Sequence, residues 1–257
     1  MSESLDARSV LEEYDDFIAR KRYAEGAEFL ELAATAAKQS GDTASLVTLL
    51  NELVGHYRKN NERARCYRTI AVLKELLDNG AVSDETEIGT SYLNIGTAYN
   101  RFGDPKTAIE CYRISEEKYK KTLGTRDYRW GGLYNNAATA YQAEGEFAKA
   151  ADMFFEAARL MSALDRVEDE ATTYINLAHL EDEARGNRGE IKRYLDRAYY
   201  LLNTVREPNA YYAWVLEKLA PSFGYFGEEK RATELFDRAK KIYDSLSDKA
   251  NGRQGRQ

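Results

Sequence analysis

The stretch at 91–112, SYLNIGTAYNRFGDPKTAIECY, and the stretch at 133–154, LYNNAATAYQAEGEFAKAADMF, follow one pattern. With a 42-residue offset Tyr92 falls on Tyr134, Asn94 on Asn136, Thr97 on Thr139, Tyr99 on Tyr141, Gly103 on Gly145 and Ala108 on Ala150. Aromatic, glycine and alanine matches are what a packing unit needs to stack on itself. The asparagine is not, and it marks a polar group held at a fixed place in each unit.

The pattern extends along the chain. Anchored on the second tyrosine, it runs Phe17, Tyr57, Tyr99, Tyr141, Glu181 and Phe223, at intervals of 40, 42, 42, 40 and 42 residues. Seven before each anchor stand Val10, Leu50, Tyr92, Tyr134, Tyr174 and Leu216; three before it stand Tyr14, Val54, Gly96, Ala138, Ala178 and Ala220. A second run follows: Gly26, Cys66, Ala108, Ala150, Ile191 and Ala232, then Leu30, Ile70, Tyr112, Phe154, Leu195 and Phe236. Spacings of 3, 4 and 7 place these side chains on one helical face. Between the runs sits Gly103, Gly145, Gly186 or Gly227, with Lys21 and Asn61 in the first two units. A left-handed residue there ends one helix and turns the chain back. Each unit is therefore a helix, a tight turn and an antiparallel helix, with small residues where the two cross. One hairpin cannot bury both faces, so the units must stack.

These residues resemble the tetratricopeptide repeat family, from about Leu5 to Leu246. The 40–42-residue unit is similar to the kinesin-light-chain-like subclass, most closely over 116–145, EEKYKKTLGTRDYRWGGLYNNAATAYQAEG. The proline that often ends such units is absent, and Glu181 replaces the aromatic in the fifth. The expectation is an all-α, right-handed superhelical solenoid of about six helix-turn-helix repeats and twelve helices. As a single domain over 1–247 its units fall at 5–41, 42–83, 84–126, 127–167, 168–208 and 209–247. The polar end, 248–257, reads as a disordered tail.

Five before the anchors stand Glu12, Glu52, Asn94, Asn136, Asn176 and Lys218; two before stand Asp15, Gly55, Thr97, Thr139, His179 and Pro221. With Thr90, Gly132, Thr172 and Arg101 they form a stripe away from the apolar face. The resemblance implies that first helices line a concave groove in which peptides lie. A carboxamide there can pair with a peptide N–H and C=O at once. The implied contact set is Asn94, Asn136, Asn176, Asn135, Thr97, Thr139, Arg101, His179 and Lys218. The same asparagines could instead bond to the adjacent first helix and set the angle between repeats.

Bulk composition narrows the function. The chain has 257 residues, 43% hydrophobic and 31% charged, with a formal net charge of −6 and three prolines, which suits a helical fold with a real core. An acidic balance argues against a nucleic-acid partner. No apolar run reaches a membrane span or forms a leader, so no membrane partner is expected. Two distant cysteines read as buried thiols in a reducing, cytoplasmic setting. His56 and His179 have no nucleophile or orienting acid beside them in the repeat register, and no phosphate loop or metal spacing occurs. The reading is a non-enzyme without cofactor or metal.

Other features have two readings. The run HYRKNNERARCYR (56–68) holds five basic side chains against one acid: a solvated turn, or a seat for an acidic partner. Pro221 should bend or break its helix. The nearby Tyr211, Tyr212, Trp214, Phe223, Tyr225 and Phe226 either cap the solenoid or, if exposed, mark an interface such as a homodimer. The function expected is a protein–protein interaction scaffold or adaptor; the alternative is a regulatory module sensing a peptide or small ligand. Repeats beginning near residue 5 favour the adaptor.

Overall fold

The computed structural model describes residues 6–254, with side chains to residue 246. The expected unit start at residue 5 and the tail residues 255–257 lie outside the described residues. Among the described residues every regular element is an α-helix. Where the sequence reading runs one solenoid across 1–247, contacts divide the chain into two compact units, one ending at Gly124 and one beginning at Thr125. The first holds three hairpins: α1 (Ala7–Ala19) with α2 (Tyr23–Ser40), α3 (Thr43–Lys59) with α4 (Arg63–Asp78), and α5 (Glu85–Arg101) with α6 (Pro105–Thr122). The second holds α7 (Arg129–Ala143) with α8 (Phe147–Ala163), α9 (Val167–Ala184) with α10 (Arg188–Leu202), and α11 (Ala210–Tyr225) with α12 (Glu229–Gln254). Within each unit first helix packs on first helix: α1 on α3 on α5, and α7 on α9 on α11.

The anchors set the turns. The carbonyls of Phe17, Tyr57, Tyr99, Tyr141, Glu181 and Phe223 accept the N–H groups of Arg22, Glu62, Asp104, Glu146, Gly186 and Glu228, five residues on, at 2.8–2.9 Å. That bond closes a helix end around a left-handed residue. The left-handed residue is Lys21 (φ 58°), Asn61 (59°), Gly103 (85°), Gly145 (75°) or Gly227 (81°), always four after the anchor; in the fifth hairpin it is Gly186 (63°), one later. The extra residue explains why Ile191 follows its anchor at ten rather than nine. Lys21 holds this conformation against its own Cβ, at a cost of about 1 kcal/mol.

Packing follows from residue size. Val54, Ala138, Ala178 and Ala220 at the helix crossings have no exposed surface. A Cβ added to Gly96 would sit 2.7 Å from the Tyr112 ring, so the glycine lets that ring lie flat across α5. Tyr57, Phe154 and Phe223 are essentially fully buried, each contributing about 2–3 kcal/mol of apolar transfer. Cys66 is buried with Sγ 3.6 Å from the Val54 carbonyl oxygen, and Cys111 is buried and free. Glu181 occupies the fifth anchor site largely buried, with Oε1 lacking a hydrogen-bond partner among the described residues.

Two expectations are corrected. Pro221 does not break its helix: α11 runs continuous through it, with Pro221 and Glu217, the residue whose carbonyl its ring would meet, both exposed. The chain beyond Ser247 is helical to Gln254 as part of α12 rather than a disordered tail.

Candidate functional site

The asparagines take part in a repeated brace between first helices. In the first unit Asn51 Nδ2 donates to the Val47 carbonyl at 3.1 Å and to Ser91 Oγ at 2.7 Å, which turns its Oδ1 toward Asn94 Nδ2 at 3.0 Å. In the second unit Asn135 Nδ2 donates to the Gly131 carbonyl at 3.3 Å and to Thr173 Oγ1 at 2.8 Å, while its Oδ1 accepts from Asn176 Nδ2 at 3.3 Å. The network leaves each amide one self-consistent orientation. Asn94 and Asn176 spend a donor on the preceding helix and keep Oδ1 for another partner. Across the α1–α3 and α9–α11 joints the equivalent positions hold Leu11 with Leu49, and Ile175 with Val215.

Asn136 differs. It is partly buried, and among the described residues its carboxamide has no hydrogen-bond partner; only its main-chain carbonyl is used within the helix turn, by Thr139 Oγ1 at 2.8 Å. It lines a cleft of about 340 Å³ on the second unit together with Gly132, Asn135, Thr139, Thr172, Asn176 and Lys218. The lining comes mainly from successive turns of α7 and α9, with Lys218 from α11 and Met161 from α8.

Aromatic and charged side chains form the rim. Arg166 Nε bonds Asp169 Oδ2 at 2.6 Å, and Tyr211 Oη bonds the other oxygen at 3.0 Å. The Arg166 guanidinium lies 4.9 Å from the centre of the Tyr128 ring, and Lys218 Nζ lies 5.0 Å from that of Trp214, which stacks on Tyr211. Tyr128, Tyr211 and Trp214 are each about half exposed (54%, 46% and 48%). Such a rim offers flat apolar contact beside two cations and one neutralised acid.

The remaining sequence candidates are placed elsewhere. His179 Nε2 is 2.9 Å from Ser222 Oγ, and its ring packs 4.9 Å from Phe226, so it sits in the α9–α11 joint; burial pushes its pKa down. Thr97 bonds the Leu93 carbonyl at 2.8 Å, and Arg101 is exposed at the end of α5. His56, 1% exposed, has its Nδ1 2.8 Å from Tyr14 Oη in a buried hydrogen bond, and burial lowers its pKa as well. Within the basic run Arg65 is paired with Glu31 at 3.1 Å and Glu62 at 2.9 Å, so part of that charge is internal to the fold. Of the terminal aromatics, Tyr212 and Phe223 are core residues and Tyr225 is exposed. Asn51, Ser91 and Thr173 escaped the sequence reading. The available signal was Asn at six before the anchor in units two and four, answered one unit later by Ser or Thr at eight before and Asn at five before.

Among the described residues no group of His, Cys, Asp and Glu side chains is placed to hold a metal ion, and no helix is long and apolar enough to cross a membrane.

Hairpins closed in this way and stacked first helix on first helix define an all-α helical-repeat fold, and solved structures of proteins with TPR-like repeats share that fold. BtubC (BKLC) from P. vanneervenii is 18% identical, with 89% of this chain and 92% of that one covered and a TM-score of 0.61. A kinesin light chain protein of Podosopora anserina with nearly identical TPR-like repeats is 19% identical over 77% of this chain and 94% of that one, TM-score 0.54. PilW, a type IV pilus biogenesis factor, is 12% identical over 93% and 94%, TM-score 0.57. At these identities the likeness is one of fold. No family model and no curated protein matches the sequence.

Proposed function

We propose that the chain is a non-catalytic adaptor whose second unit holds an extended segment of a partner protein in the α7–α9–α11 cleft. The observation that carries this reading is Asn136: a carboxamide in the cleft lining with neither donor nor acceptor used by the described residues. A partly buried amide of this kind gains most from a partner presenting both N–H and C=O, which a peptide main chain does. Asn176 adds an acceptor oriented by its bond to Asn135, and Lys218 and the Trp214–Tyr211 stack supply the side-chain discrimination. Asn94, Thr97 and Arg101 are the matching set on the first unit. His179 drops out of the contact set, because Ser222 and Phe226 engage it. Because Tyr211 bonds Asp169 and Trp214 lies beside Lys218, both residues of the cleft lining, the aromatic surface is assigned to the ligand rather than to a homodimer. Two buried free thiols suit work in the cytoplasm.

The test is a pull-down from the source cell with the wild-type chain and with Asn136→Ala as baits. The expected result is that partners held by wild type are lost by the variant while its melting temperature is unchanged. Recovery of the same proteins by both baits would move the interface off this cleft.

A further inference from the structure

In the second unit α10 and α12 are tied together at three successive turns. Asp196 Oδ1 accepts from Arg231 Nη1 at 2.7 Å, Glu234 Oε2 accepts from Tyr199 Oη at 2.5 Å, and Asn203 Oδ1 accepts from Arg238 Nη1 at 2.7 Å. In the first unit α2 and α4 both pack on α3, and among the described residues one side-chain bond joins them, from Arg65 Nη2 to Glu31 Oε2 at 3.1 Å. Beyond that bond the walls carry short side chains, Ala34 and Thr35 on α2 and Thr69 and Val72 on α4, around a cavity of about 440 Å³. A second cavity of about 200 Å³ continues it and shares Lys38, Leu46 and Val72. Leu46, Leu50 and Leu53 of α3 form the buried base, on a different face of that helix from Asn51.

Charge singles out the occupant. Lys38 stands on one wall and Arg68 on the other, and neither has a hydrogen bond or ion pair among the described residues. Lys38 also suits the last turn of α2, where a cation meets the helix dipole; Arg68, inside α4, has no such role. Glu31 is already held by Arg65 and by Tyr57 Oη at 2.6 Å, and Glu75 of the second cavity is the one other acid of the lining. The slot thus keeps a surplus of positive charge over an apolar base, in a chain of net charge −6. We propose that it binds a straight-chain carboxylate, with the alkyl chain along the leucines and the head group between Lys38 and Arg68. Leu46 to Leu53 spans about 10 Å of helix, the reach of roughly eight methylene groups in zigzag. The volume lies within the range of about 300–1,000 Å³ that small-molecule pockets occupy. The Arg65–Glu31 bond across the slot holds its walls too close for an inserted helix, which is about 10 Å across.

The experiment is isothermal titration calorimetry of the full chain with hexanoate, octanoate, decanoate and dodecanoate, and with octanol as the uncharged control. Affinity should rise about threefold per added methylene and level off near ten carbons. Octanol should bind about tenfold more weakly than octanoate. Lys38→Gln combined with Arg68→Gln should weaken octanoate about tenfold and leave octanol unchanged. Thr69→Phe, or Thr35→Phe from the opposite wall, should fill the slot and abolish both, with melting curves confirming that each variant folds. Absence of carboxylate binding, equal affinity for octanol and octanoate, or affinity indifferent to chain length would each overturn the proposal. Binding that survives in folded slot-filling variants would overturn it as well. Binding of a helical peptide with a leucine stripe flanked by glutamates, without binding of octanoate, would make the slot a protein-docking face and overturn it too.

Discussion

Asn135 and Asn136 are chemically identical neighbours, and the same substitution at each should do opposite things. Replacing Asn135 by alanine removes the bonds to Thr173 Oγ1 at 2.8 Å and to Asn176 Nδ2 at 3.3 Å, both across the α7–α9 joint. Two such bonds are worth about 1–3 kcal/mol together. Alanine returns roughly 0.5 kcal/mol through its better helix propensity. A net loss of about 1–2 kcal/mol corresponds to a fall in melting temperature of about 2–8 °C. Asn136→Ala breaks no bond within the described residues and gains the same propensity, so it should melt at or slightly above wild type. Thermal denaturation followed by far-UV circular dichroism separates the two. A double-mutant cycle with Asn176→Ala should then give Asn135 a coupling of about 0.5–1.5 kcal/mol with its partner. Equal melting temperatures for the two single variants, or a coupling indistinguishable from zero, would refute the brace.

Three further outcomes follow from local chemistry. Burial depresses the pKa of both His56 and His179 from the ordinary 6.5, so the unfolded chain binds protons first as pH falls; stability should be full above 6.5 and decline through the window beneath it, and His56→Gln should flatten that slope in melts taken between pH 8 and 5. Burial pushes the Cys66 and Cys111 thiols up to about 11, so neither should react with a thiol reagent at pH 8 until the chain unfolds, as absorbance in a timed assay would show. Lys21 sits at φ 58° in the first turn, so Lys21→Gly should raise stability by about 1 kcal/mol in a urea titration.

The hairpins were legible because one side-chain size pattern, repeated at 40–42 residues, sets both the crossing point and the turn. The six anchor carbonyls accept the turn bonds that pattern places, including the fifth, where a carboxylate stands in for an aromatic ring. The braces were less legible. Which polar side chains meet across a joint depends on the rotation of one helix against the next, and that depends on both partners. Asn51 and Asn94 occupy positions six and five before their anchors, so a search at one fixed register position finds only half of each pair. Pro221 misled for a related reason: the cost of a missing donor depends on whether the orphaned carbonyl faces solvent or core, and periodicity alone does not report that.

The brace has a bearing on how a chain of look-alike modules assembles. Each closed pair needs an amide donor one residue out of step with the amide acceptor on the module before it, plus a hydroxyl at a third position. A hairpin that slid past its neighbour, or was lent to a second copy of the chain, would bring a carboxamide against Leu49 or Val215 instead and strand it dry. Polar pegs of this sort give nearly interchangeable parts a sense of order, and they do so by penalising the wrong neighbour more than by rewarding the right one.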